Sequence, residues 1–202
     1  MLEFVATGND LDAAAAVAAE LGGVTYTAAS DDPRELPFRA LVRATTDDIR
    51  ALEPAAGVGS YLIFSRTVRA RPESVVAGEP STGVTAVFPL LRHPDLEHHQ
   101  SDAHWRDTHA PLAQIHHPGM WDYTQLSITH TFSGPDLDGF ALCSFASKQD
   151  MKERFFTDDE ARAIIQADVS SFASPKSPRR VVATETIYGA RPPARAAFWP
   201  ND

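Results

Sequence analysis

The 202-residue chain has one cysteine, Cys143. It can form neither an internal disulfide nor a cysteine-built metal site, and Cys143 reads as a small buried apolar side chain on a strand. An excess of cations is also lacking. Asp and Glu number 27 against 18 Lys and Arg, a formal net charge of −9, which excludes the cationic surface that phosphate backbones require, so no nucleic-acid partner is expected. No apolar run approaches the roughly 20 residues of a membrane-spanning helix. The opening MLEFVATGNDLD has no cationic segment leading into an apolar one. The expectation is a cytoplasmic protein without a secretory signal and without a membrane partner. Histidine is missing from most of the chain, since all eight lie between His93 and His130.

What is present is enough apolar material, 43% of residues, for one large domain or two small ones. Strand candidates LEFVAT, VTYTAA, PFRALVRAT and GSYLIFSRTVRAR alternate with two helical segments. DLDAAAAVAAEL is capped by Asp10 and stopped by Gly22-Gly23, and TDDIRALEP has Thr46 placed as its cap and Pro54 at its end. That is β-α-β-β-α-β over residues 1–72. Pro, Gly and Ser mark 73–82 as a linker. Residues 83–190 repeat the rhythm: VTAVFPLLR, a helix over 95–116 interrupted by Pro111, WDYTQLSITHTF, GFALCSFAS, a helix in two pieces with Thr157 capping the second through TDDE, and RRVVATETIYG. Residues 191–202 form a Pro- and Arg-rich tail. The pattern predicts an α+β fold of two tandem ferredoxin-like units. Each unit has one apolar sheet face to cover, so the two antiparallel sheets are expected face to face as an α+β barrel.

The second unit resembles the EthD family of the dimeric α+β barrel superfamily. The resemblance rests on HPD at 93–95, HWRDTHAPLA at 104–113, the Tyr-containing strand WDYTQLS, and SSFASPKSPR at 170–179, and it covers about residues 83–190. The first unit looks like a diverged copy supplying the other wall. Such a resemblance implies small, mostly apolar or aromatic substrates held in the barrel, often with no cofactor, and so no cofactor is expected here. It also implies that single-unit relatives dimerise, so this chain is expected as a monomer (a pseudo-dimer) or a homodimer.

On a helix over 95–116, His98, Asp102, Trp105, His109, Leu112 and His116 share one stripe. A stripe mixing apolar and titratable groups suits a pocket wall or an edge between core and solvent. Pro111 removes a backbone donor, either bending the helix or starting a new one after His109. His109 is the first candidate general acid/base; Asp102 is too far along the stripe to orient it, and no other partner stands out. His104, on a neighbouring stripe, and Tyr123 are the further catalytic candidates. Trp105, Phe88, Leu112, Gln125, His130 and Arg106 are the substrate-contact candidates. On the following strand, Tyr123 and Gln125 face the barrel interior in one register, and Leu126, Ile128 and His130 face it in the other. Arg106 also reads as a surface partner of Asp107, and His98, His99, His116 and His117 as rim residues. The clustered histidines show neither HExxH nor a clear set of carboxylate partners at metal-ligand spacing, so no metal site is expected.

The leading expectation is a lyase, isomerase, cyclase or dehydratase doing acid/base chemistry on a small hydrophobic or aromatic substrate. The alternatives are a cofactor-independent monooxygenase of anthrone-oxygenase type and a non-catalytic small-ligand carrier.

Overall fold

A computed structural model of the protein describes residues 2–71 and 76–189. The tail at 191–202 and residues 73–75 of the linker lie outside them. The first unit runs β1 (Leu2–Gly8), α1 (Leu11–Leu21), β2 (Val24–Ala28), β3 (Ala40–Thr46), a 3-10 helix (Ile49–Ala55) and β4 (Gly59–Arg69). The second begins with β5 (Val84–Leu90) and a continuous helical stretch. That stretch comprises α2 (His98–His104), a π-helical turn (Trp105–His109) and α3 (Ala110–His116). After it come β6 (Met120–Ser133), β7 (Gly139–Phe145), α4 (Lys148–Glu153), α5 (Asp159–Phe172) and β8 (Val181–Ile187). No helix among the described residues is long and apolar enough to cross a membrane.

Local chemistry sets the helix ends. Asp10 accepts from the Ala13 amide at 2.9 Å, and Gly22, at φ 60°, closes α1 in the left-handed conformation that favours glycine. Two caps differ from expectation. Asp48, not Thr46, caps the 3-10 helix, because the Thr46 hydroxyl accepts from the Asp48 amide instead. Asp158, not Thr157, caps α5 by accepting from the Ala161 amide at 2.8 Å, while the Thr157 amide is tied to the His116 carbonyl.

Every strand pairing is antiparallel, and the eight strands close a barrel in the order β1-β3-β2-β8-β5-β7-β6-β4. Each unit contributes four neighbouring strands, and β2–β8 and β4–β6 are the two seams. Strand alternation divides the apolar residues among three cores. Val5, Leu41, Tyr61, Leu126, Phe140 and Leu142 are among those filling the barrel interior. Phe4, Ala6, Val17 and Val42 pack α1 on the outer face of the first unit. Trp105, Tyr123, Phe145 and Phe172 lie between the second sheet and its helices.

This arrangement corrects the expected location of the ligand. The barrel interior is a packed core. On β6, Leu126 and Ile128 point into it, while Tyr123 faces the helices.

Candidate functional site

A cavity of about 1100 Å³ lies between the outer face of the second sheet and its helices. Strands supply Phe88, Tyr123 and Cys143 to its wall, the helical stretch supplies Trp105 and His109, His117 follows directly after its end, and α5 supplies Val169 and Phe172.

The helical stretch is shaped by Pro111, which has no amide hydrogen to offer the carbonyl four residues back. The chain answers with a wide turn: the Ala110 amide donates to the Trp105 carbonyl, five residues earlier, and that carbonyl also accepts from Gln125 Nε2 at 2.9 Å. The extra residue slips the buried stripe by one position. Trp105, His109, Ala113 and His117 face inward, where an ordinary helical period predicts Leu112 and His116. Leu112 therefore leaves the cavity wall, and His117, read as a rim residue, enters it.

His109 is buried, with its ring 5.2 Å from Phe172 and edge-on to Tyr123 at 6.4 Å between centroids. Its Nδ1 lies 2.7 Å from Asp168 Oδ2. His104 Nε2 lies 2.7 Å from the other carboxylate oxygen, Oδ1. Burial alone pushes the Asp168 carboxyl up, but the hydrogen bonds from His109 and His104 outweigh it and hold the carboxyl below the usual carboxylate range. An ionised carboxylate only accepts, so both imidazoles donate to it. In neutral His109 this fixes the proton on Nδ1 and leaves the lone pair on Nε2, which has no hydrogen-bond partner among the described residues.

Beside it the Tyr123 hydroxyl accepts from Trp105 Nε1 at 3.0 Å and from Gln125 Nε2 at 3.1 Å. Burial pushes its pKa up, so it stays a phenol. The Gln125 carbonyl accepts from Arg66 Nε at 3.1 Å, and the Arg66 guanidinium grips Asp102 at 2.8 and 2.5 Å while lying over the Trp105 ring. Thus β4 of the first unit braces the wall from behind. Trp105 reaches the sheet because Gly139 has no side chain: a Cβ there would sit 2.7 Å from the indole.

His117 is neutral: burial pushes its pKa down to about 4, against the raising effect of the hydrogen bond between Nδ1 and the Phe155 carbonyl. Burial pushes the Cys143 thiol up to about 12, the opposite of an activated nucleophile. Among the described residues no three His, Cys, Asp or Glu side chains are grouped to hold a metal ion.

Of the sequence candidates, His109, Tyr123, Trp105 and Phe88 line one cavity. The other five do not. His104 stands behind Asp168, stacked on Phe172. Gln125 is wholly buried beneath Tyr123 and Trp105, its amide consumed in bracing them. Leu112 is displaced by the π turn. His130 is exposed toward the far end of β6, its ring against Phe132. Arg106 is on the surface, paired with Asp107 at 2.7 and 2.5 Å. Asp168 was not singled out, although a signal exists. It sits close to the Ala161, Ile165, Phe172 stripe of α5, where an acid interrupts an apolar face.

Residues 93–176 match the model of the EthD domain. Among solved structures, the chain is similar to one described as an anthrone oxidase-like protein. The TM-score is 0.57 and the identity 13%, over 98% of this chain and 95% of that one. A structure described as a candidate monooxygenase from Lactobacillus acidophilus NCFM is 11% identical with a TM-score of 0.48, over 93% and 96% of the two chains. No curated protein matches the chain. At these identities the likeness is one of fold.

Proposed function

From the premise of an EthD domain over residues 93–176, we propose that the protein is an enzyme that removes a proton from carbon on a small aromatic substrate, with His109 as the base. The carrying observation is the His109–Asp168 pair at 2.7 Å in the wall of a largely apolar cavity. An imidazole fixed in one tautomer by a carboxylate and set in the wall of a pocket with aromatic walls is suited to a carbon acid. His109 Nε2 takes the proton, and the imidazolium so formed is stabilised by Asp168 on its other nitrogen. The Tyr123 hydroxyl, already accepting two hydrogen bonds, has its own proton available for an oxygen on which negative charge develops. Trp105, Phe88 and Phe172 keep water from the carbanion. His104 holds Asp168 and is a positioning residue.

Two fates of the carbanion follow. Return of the proton at another carbon, or loss of a leaving group, gives isomerase or lyase chemistry. Capture by dioxygen gives an oxygenase that converts CH2 and O2 into C=O and water. The second is favoured by the anthrone oxidase-like neighbour.

Anthrone, whose ring CH2 is acidified by the carbonyl across the ring, tests the shared step. In heavy water without oxygen, the wild type should speed exchange of that CH2, and His109→Gln should lose about 10²- to 10⁴-fold of the enhancement. Undiminished exchange in the variant overturns the assignment. Admitting air then separates the two fates by whether the quinone forms.

A further inference from the structure

The chain carries a net charge of −9, yet among the described residues the charged side chains lining the cavity, histidines aside, are the cations Lys148, Lys152, Arg162 and Arg180, with no Asp or Glu. Different elements bring them together. Lys148 and Lys152 stand one turn apart on α4, Arg162 comes from the first turns of α5, and Arg180 precedes β8. Arg180 lies over the Phe88 ring at 5.8 Å and Arg162 over the Phe156 ring at 5.4 Å, so both guanidinium groups border aromatic wall.

Glu153, Asp158 and Asp159 stand beside Lys152 and Arg162 in an adjoining hollow, outside the lining of the cavity itself. Asp159 reaches Arg162 at 3.4 Å, but both side chains are more than half exposed, where an ion pair is worth little. Among the described residues, Lys148, Lys152 and Arg180 have no ion-pair partner. Asp168 is occupied by two imidazoles. An apolar cleft rimmed by charge of one sign focuses the field at its mouth and raises the local concentration of the opposite charge.

We propose that the cavity takes an aromatic substrate bearing an anionic group, a carboxylate or ionised phenol, held at the rim by Lys152, Arg162 and their neighbours while the ring system reaches inward to His109. The inference rests on the reading of this cavity as the reaction site, and it adds the charge of the substrate. It also orients the substrate: the reacting carbon lies on the ring side away from the anion.

The test is binding of 2-naphthoate to the full chain, followed by quenching of protein fluorescence, beside the neutral 2-naphthamide and a cationic naphthyl ammonium. Naphthoate should bind about tenfold tighter than naphthamide at low salt, and the advantage should shrink at about 0.5 M salt. Lys152→Gln with Arg162→Gln should remove most of that advantage and leave naphthamide binding unchanged. Equal binding of the three probes, salt-independent preference, or binding of none of them overturns the proposal. His109→Gln should bind naphthoate like the wild type. Loss of proton exchange in that variant with binding intact, or retention of exchange, speaks only to the catalytic reading, so the two fail separately.

Discussion

Asp168 is the residue on which the proposed chemistry turns, because it accepts from two imidazoles and only one of them reaches the cavity. Replacing it by Asn keeps the shape but removes the charge that stabilises the His109 imidazolium and the rule that makes Nδ1 the donor. Proton exchange in Asp168→Asn should fall by about 10²- to 10⁴-fold with the dissociation constant of 2-naphthoate nearly unchanged. A role confined to packing would instead move binding and thermal stability together. His104→Gln should lose less than Asp168→Asn, since the second imidazole steadies the carboxylate without facing the ligand. The sequence made His109 and Tyr123 legible through residue type and position. It could not show Asp168 as the partner, because the pair joins residues 59 apart on helices whose mutual angle no local pattern states.

At the scale of elements, both β-α-β-β-α-β rhythms were readable from alternation and from glycine and proline punctuation. The face presented by the histidine helix was not. A regular period puts Leu112 and His116 beside Trp105 and His109, and the π turn replaces them with Ala113 and His117. Pro111 announces an interruption, but a kink, a fresh helix start and a wide turn all satisfy its missing donor. The faces of β6 were open for a similar reason. Both sets of side chains mix polar and apolar groups, and only the helix-side network of Trp105, Tyr123, Gln125 and Arg66 explains why the polar set is turned away from the barrel. That network depends on the approach of Trp105 to β7. Gly139→Ala places a methyl group 2.7 Å from both the indole and the Leu126 carbonyl. It should destabilise the protein by about 1–3 kcal/mol, with a change in near-ultraviolet circular dichroism as the indole moves. An unchanged denaturation midpoint would show that the strand and helix separate more easily than their packing implies.

For the molecule as a whole, acid sensitivity follows from the buried wall of the cavity. His117 takes up a proton at about pH 4 when folded but near 6.5 when unfolded, so between these values the unfolded chain binds more protons and stability falls as the pH drops. The full effect is on the order of 3 kcal/mol, one pKa unit being about 1.4 kcal/mol. Asp168 acts in the same direction but lower, its contribution being lost as the pH falls below the ordinary carboxylate value of 3.8. Urea midpoints at about pH 7 and about pH 4 should differ clearly in the wild type and less in His117→Asn, which keeps a donor for the Phe155 carbonyl but cannot titrate. Parallel pH dependence in the two proteins would remove His117 as its source. Closure of the barrel within one chain has a consequence of another kind. Two identical copies would carry the same residues on both outer faces, so every change that improved one chamber would be imposed on its twin. Here the opposite face carries Ala6, Ala14, Ala18 and Ala40, small enough to seat a helix directly on the sheet. With the proposed reaction site on one outer face, the tandem arrangement leaves the other to bracing, each free to drift under its own constraint.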